Sequence, residues 1–156
     1  MGKWREIFCS SENCENEDEC VFNPPATEQE IKRFESDIGA SLPADLREML
    51  LEFNGIDKPE HGRQAPFILG LKNMKLPEFY TDWDVPTDNL LEWSKNIVYV
   101  RQFNSFTYLW GIVVKPFDDF KVGDVVEFDH DDIDDDIEAS DFFTRNLKSL
   151  KEVILD

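Results

Sequence analysis

The sequence predicts an α+β fold in which helices pack on a mostly antiparallel sheet. Two adjacent segments between Thr27 and Gly55 have the apolar spacing of amphipathic helices. Three later segments are rich in β-branched and aromatic residues, and their short connections favour antiparallel neighbours. At 156 residues the chain has the length of a single domain with a substantial core.

Residues 1–23 form an arm before the predicted core domain, which spans residues 24–156. Trp4, Ile7 and Phe8 have helical spacing, which predicts a short helix docked on the domain. A polar, acidic stretch follows and is expected to loop outwards. Two successive prolines then separate the arm from the core.

Local signals define the helix pair. Thr27 and Glu30 have the spacing of a capping box, and Gly39 marks the end of the first helix. Pro43 opens the second helix and Asn54-Gly55 stops it. Both helices carry an apolar stripe that is expected to pack in the core, formed by Ile31, Phe34, Ile38, Leu42, Leu46, Met49, Leu50 and Phe53.

The segment from Lys58 to Trp93 is predicted to be rich in loops, because prolines and glycines recur along it. One short strand, Phe67 to Leu69, is expected within it. Tyr80 and Trp83 lie among its turn-forming residues. These aromatics either cap one edge of the core or form an exposed contact surface, since Trp and Tyr often anchor interfaces.

The second half of the domain is predicted to be a run of strands followed by a helix. The strands are Ile97 to Val100, Phe106 to Val114 and Val125 to Phe128. Alternation in the second strand places Tyr108 and Trp110 on one face. Ser140 is the expected cap of the final helix, whose buried side would include Phe142, Phe143, Leu147, Leu150, Val153 and Ile154.

The formal net charge of −18 is the strongest compositional signal. Such a charge repels phosphates and the basic residues are scattered, so direct binding of nucleic acid is not expected. The charge would speed association with a basic protein, although acidity also serves solubility alone. No apolar run is long enough to span a membrane and no secretory signal is present, so we expect a cytoplasmic protein without a membrane partner.

The sequence predicts no catalytic site, no metal site and no cofactor. Nucleotide-binding glycine motifs, serine nucleophile motifs and zinc-protease motifs are all missing from the sequence. Cys9, Cys14 and Cys20 lack the close pairing and fourth ligand of structural zinc, which favours thiols and leaves a disulfide or redox role open. His61 and His130 are interpreted as surface residues. The chain is therefore expected not to be an enzyme.

The stretch from Glu127 to Asp141, here named the acidic run, carries nine acids and no Lys or Arg. A calcium loop starting at Asp132 would need glycine at position 137 and glutamate at position 143, where Ile137 and Phe143 stand. An EF-hand is therefore excluded, and weak binding of a divalent cation stays open. Carboxylates this close repel one another, so a cation or a basic partner would relieve the repulsion.

The order of Gly39, Leu42, Pro43 and the Asn54-Gly55 pair resembles the SUKH superfamily, which includes bacterial immunity proteins and a fungal regulator of cell-wall synthesis. Looser matches follow along nearly the whole chain, at Asn96 to Val100, Tyr108 to Val114, Val125 to Asp129 and Ser140 to Phe143. The resemblance implies a SUKH-like fold and a bacterial immunity protein that binds and neutralises a cognate toxin of nuclease or deaminase type. A regulatory scaffold that binds several host proteins is the alternative, and a small acidic enzyme or calcium-binding module is a third.

Toxins that act on nucleic acid tend to be basic, so we expect the acidic run to occupy a cationic groove as a phosphate surrogate. The matched helix-pair residues are expected to shape the fold and not to bind. The predicted partner-binding residues are Asp131, Asp132, Asp134, Asp135, Asp136, Glu138, Tyr80 and Trp83.

Overall fold

A computed structural model describes residues 3–10, 20–75, 87–103, 106, 108–129, 143–146 and 149–155. Within them, the helices are α1 (Lys3–Cys9), α2 (Glu28–Ile38), α3 (Ala44–Glu52), α4 (Thr87–Ser94) and α5 (Leu150–Leu155), with a short 3-10 helix at Leu71–Asn73. The strands are β1 (Val21–Phe22), β2 (Ile56–Glu60), β3 (Arg63–Ile68), β4 (Ile97–Phe103), β5 (Tyr108–Val113), β6 (Val125–Asp129) and β7 (Phe143–Asn146).

The seven described strands form one sheet whose spatial order is the order along the chain. Each strand pairs antiparallel with the next, from β1 and β2 through to β6 and β7. Short connections make this arrangement natural, since antiparallel neighbours need no crossover. The predicted α+β fold with a mostly antiparallel sheet is confirmed.

The helix pair begins and ends where the sequence predicts, with one change at its carboxyl end. Thr27 Oγ1 accepts a hydrogen bond from Glu30 N at 3.1 Å, and Gly39 adopts φ +70° after α2. α3 begins after Pro43 and ends at Glu52, with Phe53 as its cap residue. The Asn54-Gly55 pair therefore lies just beyond the helix.

Asn54 and Gly55 join the helix pair to the sheet. Asn54 Oδ1 accepts a hydrogen bond from Leu71 N at 2.8 Å. Gly55 has φ +93°, and a Cβ atom at this residue would lie 2.7 Å from Gly70 N and 2.8 Å from Ile68 O. Only glycine permits both the backbone conformation and the close approach of the chain after β3.

The first helix docks on the end of α3. Glu52 Oε2 accepts hydrogen bonds from the backbone nitrogens of Trp4, at 2.8 Å, and Arg5, at 3.2 Å. Trp4 and Phe8 are buried, and the Phe8 ring meets Phe22 edge-on with ring centres 5.7 Å apart. Edge-to-face packing of this kind adds to the stabilisation from burial itself.

The loop-rich prediction for Lys58 to Trp93 was wrong for its first part, where β2 and β3 form a hairpin. His61 and Gly62 make its two-residue turn, with φ of +50° and +79°. Two positive φ values match the twist of a tight hairpin. Pro59 and Pro66 concealed the strands, since proline usually argues against a central strand.

The final helix begins later than predicted. Residues Phe143–Asn146 form β7, which pairs with β6, and the helix starts at Leu150. Ser149 caps it reciprocally, since Glu152 N donates to Ser149 Oγ at 3.3 Å and Ser149 N donates to Glu152 Oε2 at 2.7 Å. Burial of Phe143 against other aromatic rings favours the strand.

Candidate partner-binding surface

The predicted partner-binding residues lie outside the part of the chain that the structure describes: Asp131, Asp132, Asp134, Asp135, Asp136, Glu138, Tyr80 and Trp83. The described residues nevertheless show where the chain enters the acidic run. β6 contains Glu127 and ends at Asp129, so the run begins inside the sheet. The residues of β5 that pair with Glu127 and Asp129 therefore lie beside the start of the run.

Three aromatic side chains, the exposed Phe103 and Tyr108 and the partly buried Trp110, form a row at one end of the β4–β5 hairpin, named here the aromatic row. Phe103 and Tyr108 are paired across the two strands, and their ring centres are 6.2 Å apart. Tyr108 stacks on Trp110 with ring centres 6.3 Å apart. Phe103 is 55% exposed and Tyr108 is 37% exposed, which is unusual for rings of this size.

The aromatic row continues inwards as a stack of alternating cationic and aromatic side chains. The Arg101 guanidinium lies 5.2 Å from the Trp110 ring centre and 4.7 Å from that of Phe67. Lys58 Nζ lies 4.4 Å from the centre of the Phe67 ring and 5.9 Å from that of the Phe8 ring. Cation–π contacts therefore connect α1, β2, β3, β4 and β5.

Arg101 is a buried cation without a carboxylate partner among the described residues. Its Nη1 donates to Val153 O in α5 at 2.7 Å, while its Nε has no hydrogen-bond partner there. Burial lowers the pKa of Arg101 to about 10, which still leaves the guanidinium charged at neutral pH. The faces of the Phe67 and Trp110 rings and the carbonyl oxygen of Val153 stabilise this positive charge.

Gln102 holds the turn of the hairpin in place. It is 1% exposed, its Oε1 accepts from Phe106 N at 2.8 Å, and its Nε2 donates to Glu60 Oε2 at 3.1 Å and to Pro66 O. Phe106 adopts φ +67°, a conformation that this hydrogen bond supports. These contacts restrain the end of β4 and Phe106 beside the aromatic row, which lowers the entropy lost when a partner binds.

The start of the acidic run lies beside the aromatic row on its β6 side. Trp110 Nε1 donates to Glu127 Oε1 at 2.9 Å, and Tyr108 is paired with Asp129 across the strands. Aromatic rings at the start of an acidic run suit a partner that offers Arg or Lys side chains, which can stack on the rings and pair with the acids. Chemically, the arrangement is suited to recognising a basic protein surface.

A family model described as the SMI1 / KNR4 family (SUKH-1) matches residues 25–145. This chain belongs to the SMI1/KNR4 family. The match covers most of the chain, and it includes every residue of the aromatic row. Family membership is consistent with an immunity-type function and with protein partners.

No curated protein matched the chain in a separate comparison. The described residues also include no helix that is both long and apolar enough to span a membrane. Among those same residues, no three His, Cys, Asp or Glu side chains are grouped so that they could hold a metal ion.

Sequence reasoning found part of the aromatic row. Alternation along β5 correctly placed Tyr108 and Trp110 on one face. It missed Phe103 and Arg101, since their positions beside these rings depend on the pairing of β4 with β5. The β4–β5 register shifts between Tyr99 and Arg101, so simple alternation through β4 would also misplace the side chains.

Proposed function

We propose that this SMI1/KNR4-family chain is an immunity protein that binds and neutralises a cognate toxin of nuclease or deaminase type. It acts as a non-catalytic binder in the cytoplasm, and its contact surface combines the aromatic row with the acidic run. The proposed partner residues include Asp131, Asp132, Asp134, Asp135, Asp136 and Glu138, together with Tyr80 and Trp83.

The observation that carries the proposal is the pairing of Tyr108 with Asp129. This register brings the start of the acidic run beside exposed aromatic rings. Aromatic residues supply most of the binding energy in typical interfaces, whereas clustered charges mainly speed encounter and select the partner. The combination supports a tight complex with a basic protein.

Neutralisation follows if the acids occupy the cationic groove that a nucleic-acid-directed toxin uses for phosphates. The carboxylates then replace phosphate oxygens as acceptors for Arg and Lys, while the rings of the aromatic row pack against the rim of the groove. Substrate is excluded by competition. No group of this chain has to take part in a chemical step.

Co-expression with the product of the adjacent gene, taken as the candidate toxin domain, tests the proposal. The expected result is that the chain restores growth and co-purifies with the toxin domain in a one-to-one complex. Failure to bind the toxin domain would refute the proposal. Recovery of several weakly bound host proteins in its place would favour a regulatory scaffold.

A further inference from the structure

A second surface feature lies away from the aromatic row, where the ends of α2 and α4 meet the first residue of β4. It is a pocket of about 700 Å³, within the size range of small-molecule sites. Ile38, Leu91 and Ile97 supply apolar lining. Ser94 also lines it, and its hydroxyl lies 2.8 Å from that of the buried Tyr99.

The described lining residues of the pocket carry a net charge opposite to that of the chain. Three of the ten lysines, Lys75, Lys95 and Lys115, line it together with the acids Asp37 and Glu92. Lys95 Nζ is 3.0 Å from Glu92 Oε2, so these two charges compensate one another. Among the described lining residues, Asp37 is then the only carboxylate left for Lys75 and Lys115.

Neither Lys75 nor Lys115 forms a salt bridge with a described residue, although the chain has twice as many acids as bases. Lys75 lies over the Phe34 ring, with Nζ 5.9 Å from its centre. Lys115 reaches towards the end of α2, where a Cβ atom at residue 39 would be 3.8 Å from its Nζ. Both ammonium groups therefore border the pocket without a carboxylate partner among the described residues.

We propose that this pocket binds a small organic anion with an apolar body, such as an aromatic or acyl carboxylate, sulfonate or phosphate. The apolar body packs against Ile38, Leu91 and Ile97, and the anionic group lies between Lys75 and Lys115. The excess positive charge of the described lining residues favours an anion over a neutral molecule of the same shape. None of the described lining residues of this site belongs to the proposed toxin-binding surface.

Anilinonaphthalene sulfonate and the uncharged phenylnaphthylamine are a matched pair of fluorescent probes for this site. The folded chain is expected to bind one equivalent of the sulfonate and to bind the uncharged probe at least about tenfold more weakly, as two nearby charges predict. The double variant Lys75→Gln, Lys115→Gln is expected to lose this preference. Added salt should weaken binding of the sulfonate to the unaltered chain.

Two control variants locate the probe. Lys32→Gln with Lys121→Gln makes the same change in net charge at exposed positions outside the pocket lining, and should bind the sulfonate as the unaltered chain does. Phe103→Ser removes an exposed ring of the aromatic row and should also leave binding unchanged. The proposal would be overturned if the chain bound both probes equally or did not bind the sulfonate. It would also be overturned if the Lys75 and Lys115 double variant bound the sulfonate as before, or if Phe103→Ser lost binding.

Discussion

The guanidinium carbon of Arg101 lies 5.2 Å from the centre of the Trp110 ring, while the same side chain donates a hydrogen bond to Val153 O. One buried cation thus attaches α5 to the sheet and supports the aromatic row from beneath. The stability of the fold and the geometry of the proposed binding surface are consequently coupled at this residue.

Two substitutions of Arg101 should separate the contribution of its packing to the free energy of unfolding from the contribution of its charge. Arg101→Ala is expected to lower the free energy of unfolding by about 2–4 kcal/mol, because it leaves a cavity and an unpaired Val153 carbonyl. Arg101→Met fills more of the space and removes a buried charge, so its loss should be smaller. Urea unfolding followed by tryptophan fluorescence measures both, with the exposed Arg63→Ala as control. Equal stability of Arg101→Ala and the unaltered chain would contradict the bracing role.

Removal of the most exposed ring of the aromatic row should affect binding more than folding. Phe103→Ala is expected to weaken toxin binding by about 2 kcal/mol, roughly thirtyfold, as for an interface hot spot. The free energy of unfolding should change by less than about 0.5 kcal/mol, because Phe103 is 55% exposed. Val122→Ala, at a residue that is 61% exposed on another turn, is the matched control. Calorimetric titration with the toxin domain that leaves Phe103→Ala indistinguishable from this control would exclude the aromatic row as the anchor.

Neutralising the acidic run should act mainly on the rate of association. Replacing Asp132, Asp134, Asp135 and Asp136 by Asn is expected to slow association with the toxin about tenfold or more at low salt, and to flatten its salt dependence. Stopped-flow measurements over a range of salt concentrations provide the test.

A control for this variant removes the same number of charges elsewhere. It combines Asp118→Asn and Asp119→Asn with Glu30→Gln and Glu48→Gln, all at exposed positions. Its salt dependence should remain close to that of the unaltered chain. If both variants had an equal effect, steering would depend on overall charge. If neither variant had an effect, the phosphate-surrogate mechanism would be refuted.

The two glycines with positive φ around the first hairpin should differ in their tolerance of alanine. At Gly55 the Cβ atom would lie 2.7 Å from backbone nitrogen and 2.8 Å from backbone oxygen, whereas at Gly62 nothing lies within 4 Å. Gly62→Ala should cost about 1 kcal/mol of backbone strain, and Gly55→Ala clearly more, about 3 kcal/mol or above. Thermal and urea unfolding give the comparison. Equal losses would show that the strand ends can move apart to admit a side chain.

Elements with a complete local signal were predicted best. The Thr27 cap and Gly39 terminator act within a few residues of α2, so pattern reasoning located the helix correctly. The Ser149 and Glu152 capping box was an equally local signal for α5, yet the apolar run before it favoured an earlier start. β2 was missed, and only the end of β3 was predicted, at Phe67 and Ile68, because Pro59 and Pro66 argue against strands.

The sequence by itself determined the α+β class, the helix pair, the strong negative charge and the position of the acidic run along the chain. Only the tertiary structure decided which side chains meet. Phe103 lies beside Tyr108, and Arg101 between Phe67 and Trp110, through pairing and packing of residues from different strands. Lys75 and Lys115 reach one pocket from elements 40 residues apart along the chain. Capping and periodicity depend on neighbours within a turn or two, whereas strand register depends on burial and hydrogen bonding across the whole sheet.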